Sequence, residues 1–231
     1  MTIRLYDLAG AEDERRFSPY CWRIKMALAH KGLEFETIPW RFTEKDVIAF
    51  SGQGAVPVIV DGPSTVSDSW RIALYLDHTY PEHPLLMDSE QARGAILFFK
   101  QWSERNIHPV VFQVIILDLF AHLHDKDKAY FRESREKRFG TTLEAYGSDR
   151  TGALAKLQKA LDPVRPVLIE HPFIGGGSPS FADYILFGAF QWARVMSPTS
   201  LLKPDDPVFI WRERMLDMYE GIARRALGFS V

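Results

Sequence analysis

The four residues Ser18-Pro19-Tyr20-Cys21 carry the first chemical signal in this 231-residue chain. A Cys-Pro-Tyr-Cys start to an amphipathic helix would exchange thiols and disulfides, but here a hydroxyl holds the first position and Cys21 is the only cysteine. A dithiol reaction and an intrachain disulfide are both excluded by count. Ser18 as its own nucleophile needs a general base, and the next histidine, His30, lies about 18 Å along a helix rising about 1.5 Å per residue. The chemistry left to Ser18 is to stabilise a thiolate that another molecule brings. Lowering a thiol pKa from about 8.5–9 to about 6.5–7 takes roughly 2.7 kcal/mol. A hydroxyl hydrogen bond to a charged acceptor supplies roughly 1.5–3 kcal/mol and a helix N-terminus about 0.3–1 kcal/mol more, so one serine at a helix start suffices. Ser-Pro alone is equally the usual helix cap, a purely structural role. Cys21, one turn inside the helix without a partner thiol, reads as a small packed hydrophobe.

A second pair, Asp68-Ser69, opens another helix-period segment. Its free N–H groups and positive dipole end suit a carboxylate, and an aspartate beside them can meet an ammonium group. Without context the pair is simply an N-cap. His108 precedes Pro109 and marks a helix break, while His122 and His124 sit in "HLHDKDK", a solvated helix end. No His/Cys/Asp/Glu group has zinc spacing and no glycine-rich phosphate loop follows a strand, so neither a metal nor a nucleotide is expected.

The elements that position these residues change character partway along the chain. Residues 3–7, 33–39 and 57–60 read as strands, with a hairpin through "DGPS" to a fourth. Ser18 caps a helix that stops at Gly32. It has Cys21, Ile24 and Leu28 on its apolar face, and Arg23, Lys25, His30 and Lys31 directed to water. Residues 43–50 read as a short helix with Thr43 and Asp46 in capping-box spacing, and a third helix runs from Asp68 to just before Pro81. The order β-α-β-α-β-β-α is an α/β layer over residues 1–82. Residues 88–231 read as an all-helical domain, with helices over 90–124 (broken at Pro109), 127–146, 151–170, 180–196 and 206–226. Ser180 and Asp183 form a capping box before the most apolar of these.

Composition narrows the function further. Lys plus Arg at 28 against Asp plus Glu at 30 gives a net charge of −2, without the basic excess a nucleic-acid binder needs. The longest apolar run is broken by Gln113 and Asp118 and is too short to span a bilayer. The N-terminus turns charged before any run of signal-peptide length, so a cytoplasmic protein with no membrane partner is expected.

With "SPYCWR" at the first helix, "VPVIVD" at the third strand, "DS" at the third helix and "SFAD" in the helical half, the chain resembles a cytosolic glutathione transferase over nearly its whole length. "SPYCWRIKMALAHKG", "DSWRIALYLDHTYP" and "FADYILFGAFQWA" are more narrowly similar to the bacterial β-etherase branch, which cleaves aryl ethers with glutathione. The resemblance implies a thioredoxin-like domain followed by an all-α domain. It also implies glutathione as cosubstrate, an electrophilic, aromatic small molecule as acceptor, and a homodimer. By that resemblance Ser18 is catalytic, Val56 and a cis Pro57 pair with the tripeptide like an added strand, and Asp68 and Ser69 take its γ-glutamyl head. Arg41 and Lys45 fall in the segment that holds the glycyl carboxylate. For an apolar acceptor pocket with a few polar anchors, the candidates are Tyr20, Trp102, Asn106, Phe112 and Tyr184. A non-catalytic protein binding glutathione or hydrophobic ligands on the same fold is the alternative.

Overall fold

The computed structural model describes residues 2–231. Its first half is a four-stranded mixed sheet in the order β2-β1-β3-β4, made of β1 (Ile3–Leu8), β2 (Phe35–Trp40), β3 (Val58–Asp61) and β4 (Ser64–Ser67). β1 runs parallel to β2 and antiparallel to β3, and β3 and β4 form a hairpin. The crossover between β1 and β2 is α1 (Pro19–His30), capped by Ser18 and followed by Gly32 at φ 64°, a left-handed conformation that glycine adopts without a Cβ penalty. After β4 comes α2 (Ser69–Thr79), with Asp68 as its N-cap. This is the thioredoxin-like arrangement.

One expected helix changes character. Residues Lys45–Ser51 form a 3₁₀ helix whose N-cap, Glu44, makes no side-chain cap. Thr43 is not a cap, because its hydroxyl and N–H both go to Asp127 Oδ1, at 2.7 and 3.0 Å, while the Phe42 N–H takes Oδ2 at 2.9 Å. A buried aspartate from the helical half thus satisfies three donors of the loop after β2.

The second half is all helical, made of α3 (Glu90–Asn106), α4 (His108–Ala121), α5 (Asp125–Phe139), α6 (Leu143–Tyr146), α7 (Arg150–Ala160), α8 (Val164–Glu170), α9 (Phe181–Met196) and α10 (Pro207–Gly221). Three expected helices are divided. The first breaks at Ile107, two residues before Pro109, so the proline sits in the opening turn of α4 where its missing N–H costs nothing. Gly140 ends α5 at φ 68°, and α7 gives way to α8 before Pro163. The capping box of Ser180 and Asp183 starts α9. Asp183 also accepts from the N–H groups of Ile174 (2.7 Å) and Gly175 (3.1 Å) and from Trp211 Nε1 (2.9 Å). No helix among the described residues is long and apolar enough to cross a membrane.

The largest departure from the sequence reading lies in α1. Arg23, Lys25 and Lys31, expected in water, are buried, because α1 packs on α9 and α2 as well as on β1. Each cation therefore has a partner, as a buried charge must. Arg23 meets Glu104 at 2.6 Å, Lys25 meets Asp7 at 2.8 Å, and Lys31 meets Asp77 at 3.1 Å. His30 is half-buried, with Nδ1 2.6 Å from the Tyr184 hydroxyl and 3.2 Å from that of Tyr219, and burial, then Lys31, lowers its pKa.

Gly188 makes the α1–α9 approach possible, since a Cβ there would lie 2.3 Å from the Pro19 carbonyl oxygen. Gly188→Ala is expected to cost about 1–3 kcal/mol by overpacking against backbone that cannot rotate aside. The effect is readable as a lower midpoint in urea. An unchanged midpoint would mean that the helices are not held this closely.

Candidate functional site

Ser18 stands where α1 begins, only 3% exposed, in the wall of a cleft of about 400 Å³ between the sheet domain and the helices. Its Oγ accepts the Cys21 N–H at 3.2 Å, and its own O–H donates to nothing among the described residues. The hydroxyl is thus held by the helix terminus while its proton is free for an acceptor in the cleft. Cys21 is fully buried with Sγ 3.8 Å from the Tyr6 carbonyl, and burial pushes its thiol well above the ordinary range. It is a core residue without thiolate character.

Behind the lining residues Tyr20, Glu104 and His108 lies the fully buried Arg23. Besides Glu104, its guanidinium donates to His108 Nε2 at 3.0 Å and lies 4.7 Å from the Tyr20 ring centroid. Burial first, then the charges of Arg23 and Lys100, hold His108 well below its usual pKa, so its imidazole is neutral. Burial would raise Glu104, but Arg23 and Lys100 outweigh it and keep the carboxylate ionised. The upper wall is aromatic, with Phe112 stacked on Trp192 at 5.4 Å and Phe139 on Tyr146 at 4.1 Å.

The residues expected around a tripeptide separate into two groups. Val56 lines the cleft, and its bond to Pro57 is cis. The β3–β4 pairing ends at Val58 and Ser67, next to Pro57 and Asp68, and Pro57, Asp68 and Ser69 are not among the residues lining the cleft. Asp68 accepts the N–H groups of Trp70 and Arg71, both at 3.0 Å, from a backbone at φ 74° and ψ 127°. A non-glycine residue in that region is strained. Lys45 lines the cleft, with Nζ 2.5 Å from the Gly54 carbonyl and 4.9 Å from the Trp40 ring centroid. Arg41 is turned away, with Nε on the Gly10 carbonyl at 3.1 Å and a terminal nitrogen on Asp13 at 2.5 Å. It braces the loop after β1 and is not among the residues lining the cleft.

Of the five acceptor-pocket candidates, Tyr20 and Phe112 line the cleft. Trp102, Asn106 and Tyr184 do not. Trp102 packs on Phe99 along α3 at 5.3 Å, and exposed Asn106 donates to the Trp102 carbonyl at 2.8 Å. Tyr184 is buried at the α1–α9 contact, where its hydroxyl meets His30 and Tyr219. Burial foremost raises the Tyr184 phenol strongly, and burial likewise pushes Tyr219 up to about 12. The sequence reading passed over Tyr130, Arg135, Arg138 and Phe139, all on α5, because "DKDKAYFRESREKRF" looks solvated throughout. The signal present was an aromatic or arginine at 130, 131, 135, 138 and 139, the spacing of one helix face. Among the described residues, no group of three or more His, Cys, Asp or Glu side chains could hold a metal.

A thioredoxin-like sheet domain, an all-helical domain and a serine-capped helix opening on the cleft between them define a two-domain class of protein. Residues 17–79 match the family described as Glutathione S-transferase, N-terminal domain, and residues 96–202 match Glutathione S-transferase, C-terminal domain. The chain belongs to the glutathione S-transferase family. It is 42% identical over 69 residues to Glutathione S-transferase Z1 of Arabidopsis thaliana, a match covering 28% of this chain and 31% of that protein. The chain thus spans about a third of the length of that curated relative. The structure of glutathione transferase GSTFuA3 from Phanerochaete chrysosporium superposes with a TM-score of 0.78 at 25% identity, covering 96% of this chain and 92% of that one. That of CsGST63524 from Ceriporiopsis subvermispora, solved in complex with glutathione, gives 0.79 at 24% identity, covering 95% and 97%.

Proposed function

We propose that the protein is a glutathione transferase in which Ser18 donates a hydrogen bond to the glutathione sulfur, holding it as thiolate for attack on an electrophilic aromatic compound in the cleft. The observation that carries this reading is the Ser18 hydroxyl itself, fixed through its oxygen by the Cys21 N–H and left with an unused proton at the cleft wall. The family membership and the glutathione bound to the Ceriporiopsis relative support it. Residues 1–82 hold glutathione, with the Val56 backbone beside the cysteinyl unit, Asp68 and Ser69 at the γ-glutamyl head and Lys45 at the glycyl carboxylate. Residues 88–231 supply the acceptor side, where Phe112 and Trp192 offer flat apolar faces and Tyr20 a phenol.

Within that activity we include aryl ether cleavage. Thiolate attack on the carbon bearing an aryloxy group forms a carbon–sulfur bond and expels a phenoxide, which must be stabilised or protonated as it leaves. The hydroxyl-bearing Tyr20, Tyr130 and Tyr146 in the cleft wall favour such a leaving group. A homodimer would cover the exposed Phe50 on the 3₁₀ helix and the exposed Leu97 and Phe98 on α3. A cytoplasmic location completes the reading, in keeping with a lone, buried cysteine.

The test is turnover of glutathione with an activated aryl chloride and with a β-aryl ether. Consumption of either electrophile is expected, and consumption of the ether supports the finer activity. Tight glutathione binding with no consumption across a broad electrophile panel would make the protein a binding module instead.

A further inference from the structure

Helix α5 presents arginines at 132, 135 and 138, each three residues from the next, but they are not equivalent. Arg132 is neutralised by Glu136 and Glu144, both at 2.8 Å. Arg135 and Arg138 line the cleft and make no ion pair among the described residues. Arg135 donates to the Ser134 hydroxyl at 2.9 Å, has the Tyr130 phenol beside it, and lies with its guanidinium over Phe42 at 5.1 Å and over Phe131 at 4.7 Å. Arg138 lies 5.7 Å from the Phe139 centroid. Across the cleft, the one acidic lining residue, Glu104, is already taken by Arg23 at 2.6 Å and Lys100 at 2.9 Å. The cleft therefore carries an unmatched positive charge on its helical side. Burial chiefly, with the like charge of Arg138 beside it, pulls Arg135 below its ordinary pKa, as an uncompensated cation requires.

We propose that Arg135 and Arg138 form an anion subsite for the acceptor, so that the compound conjugated is an aromatic electrophile bearing a carboxylate. This rests on the transferase reading above. A guanidinium fork matches a carboxylate with two parallel hydrogen bonds, and stacking on Phe42 and Phe131 holds the Arg135 plane in place. Phe42 touches both ends of the cleft, its ring 6.2 Å from that of Phe17, the neighbour of Ser18, and 5.1 Å from the Arg135 guanidinium. Ser18, Phe42, Arg135 and Arg138 line one cleft, so an aromatic ring lying in it can turn its reacting carbon toward Ser18 and its carboxylate toward the arginines. Lys45 bonds the Gly54 carbonyl beside the Val56 strand, which leaves it for the carboxylate of the tripeptide.

The experiment compares 4-chloro-3,5-dinitrobenzoate with its methyl ester. In both, the thiolate forms a carbon–sulfur bond at the chlorinated carbon and chloride leaves with the bonding electron pair. Each kcat/KM is divided by the uncatalysed rate with glutathione, because the ester is intrinsically more reactive. The wild type is expected to favour the carboxylate, and the Arg135→Gln/Arg138→Gln variant to lower the carboxylate-to-ester ratio roughly 10- to 100-fold, about 1.4–2.8 kcal/mol. Arg138→Gln alone, at an exposed position, is expected to lower the ratio by a smaller factor and guards against misfolding of the double variant. Equal losses for both electrophiles would overturn the proposal. So would a rise in KM for glutathione with the ratio unchanged, which would assign the arginines to the tripeptide. If the wild type turns over neither compound, the transferase reading fails separately. Quenching of tryptophan fluorescence by 3,5-dinitrobenzoate and by its methyl ester then decides. A carboxylate preference lost in the variant upholds the subsite, and equal binding removes it.

Discussion

Ser18→Ala is expected to lower kcat/KM for glutathione transfer by about 10- to 150-fold, the loss of one hydrogen bond to a charged acceptor. The same loss raises the apparent thiol pKa of bound glutathione by about one to two units. The sign follows from which form reacts. The thiolate is the nucleophile, so the rate falls as pH drops through the thiol pKa, and in the variant that fall begins at higher pH. The two proteins therefore differ most near neutrality and converge in alkaline solution, where the thiol ionises unaided. A pH–rate profile over both limbs separates this from a structural effect, because the cap bond that Ser18 accepts from the Cys21 N–H contributes only about 1 kcal/mol of stability, with no pH signature of its own. An alanine variant with an unmoved profile would remove Ser18 from the chemistry.

The largest effect on stability is expected from Asp77→Ala. Lys31 is fully buried, and its Nζ has two oxygen partners, Asp77 Oδ1 at 3.1 Å and the Pro84 carbonyl at 3.0 Å. The same carboxylate accepts the N–H groups of Leu86 at 2.9 Å and Met87 at 3.0 Å, which pins the segment linking α2 to α3. Alanine strands a buried ammonium group and two backbone donors, a loss of about 3–5 kcal/mol. For a chain of this size that lowers the thermal midpoint by roughly 6–20 °C. Pairing the change with Lys31→Met is expected to recover most of the loss, because the penalty lies in the unpaired charge more than in the lost attraction. If the single variant melts like the wild type, the ammonium group reaches water and the linker is not held from this side.

These variants mark where the sequence was legible. Caps depend on neighbours within four residues, so Ser18, Asp68 and the Ser180–Asp183 box could be read directly, and the order of strands and helices along the first half followed from short β-rich runs punctuated by turns. Lys31, Arg23 and Lys25 could not be read, because a helix with one apolar stripe looks amphipathic whether its other sides meet water or further elements of the fold. Their partners Asp77, Glu104 and Asp7 are distant in sequence, and no periodicity connects them. Thr43 failed for a similar reason, its local cap losing to Asp127, 84 residues away. The cleft was half legible. Ser18, Tyr20, Val56 and Phe112 were accessible from motif and helix position, whereas Tyr184 looked like a pocket aromatic and is a buried hydrogen-bonding residue. Arg135 and Arg138 were hidden in a run of charge whose other members are solvated or paired.

The central claim is most directly tested by a crystal structure of the protein with glutathione bound. The account predicts the sulfur within about 3.5 Å of Ser18 Oγ, beside the Val56 backbone, with Cys21 untouched. A sulfur resting against a different donor, with the Ser18 hydroxyl facing only the Cys21 amide, would contradict it.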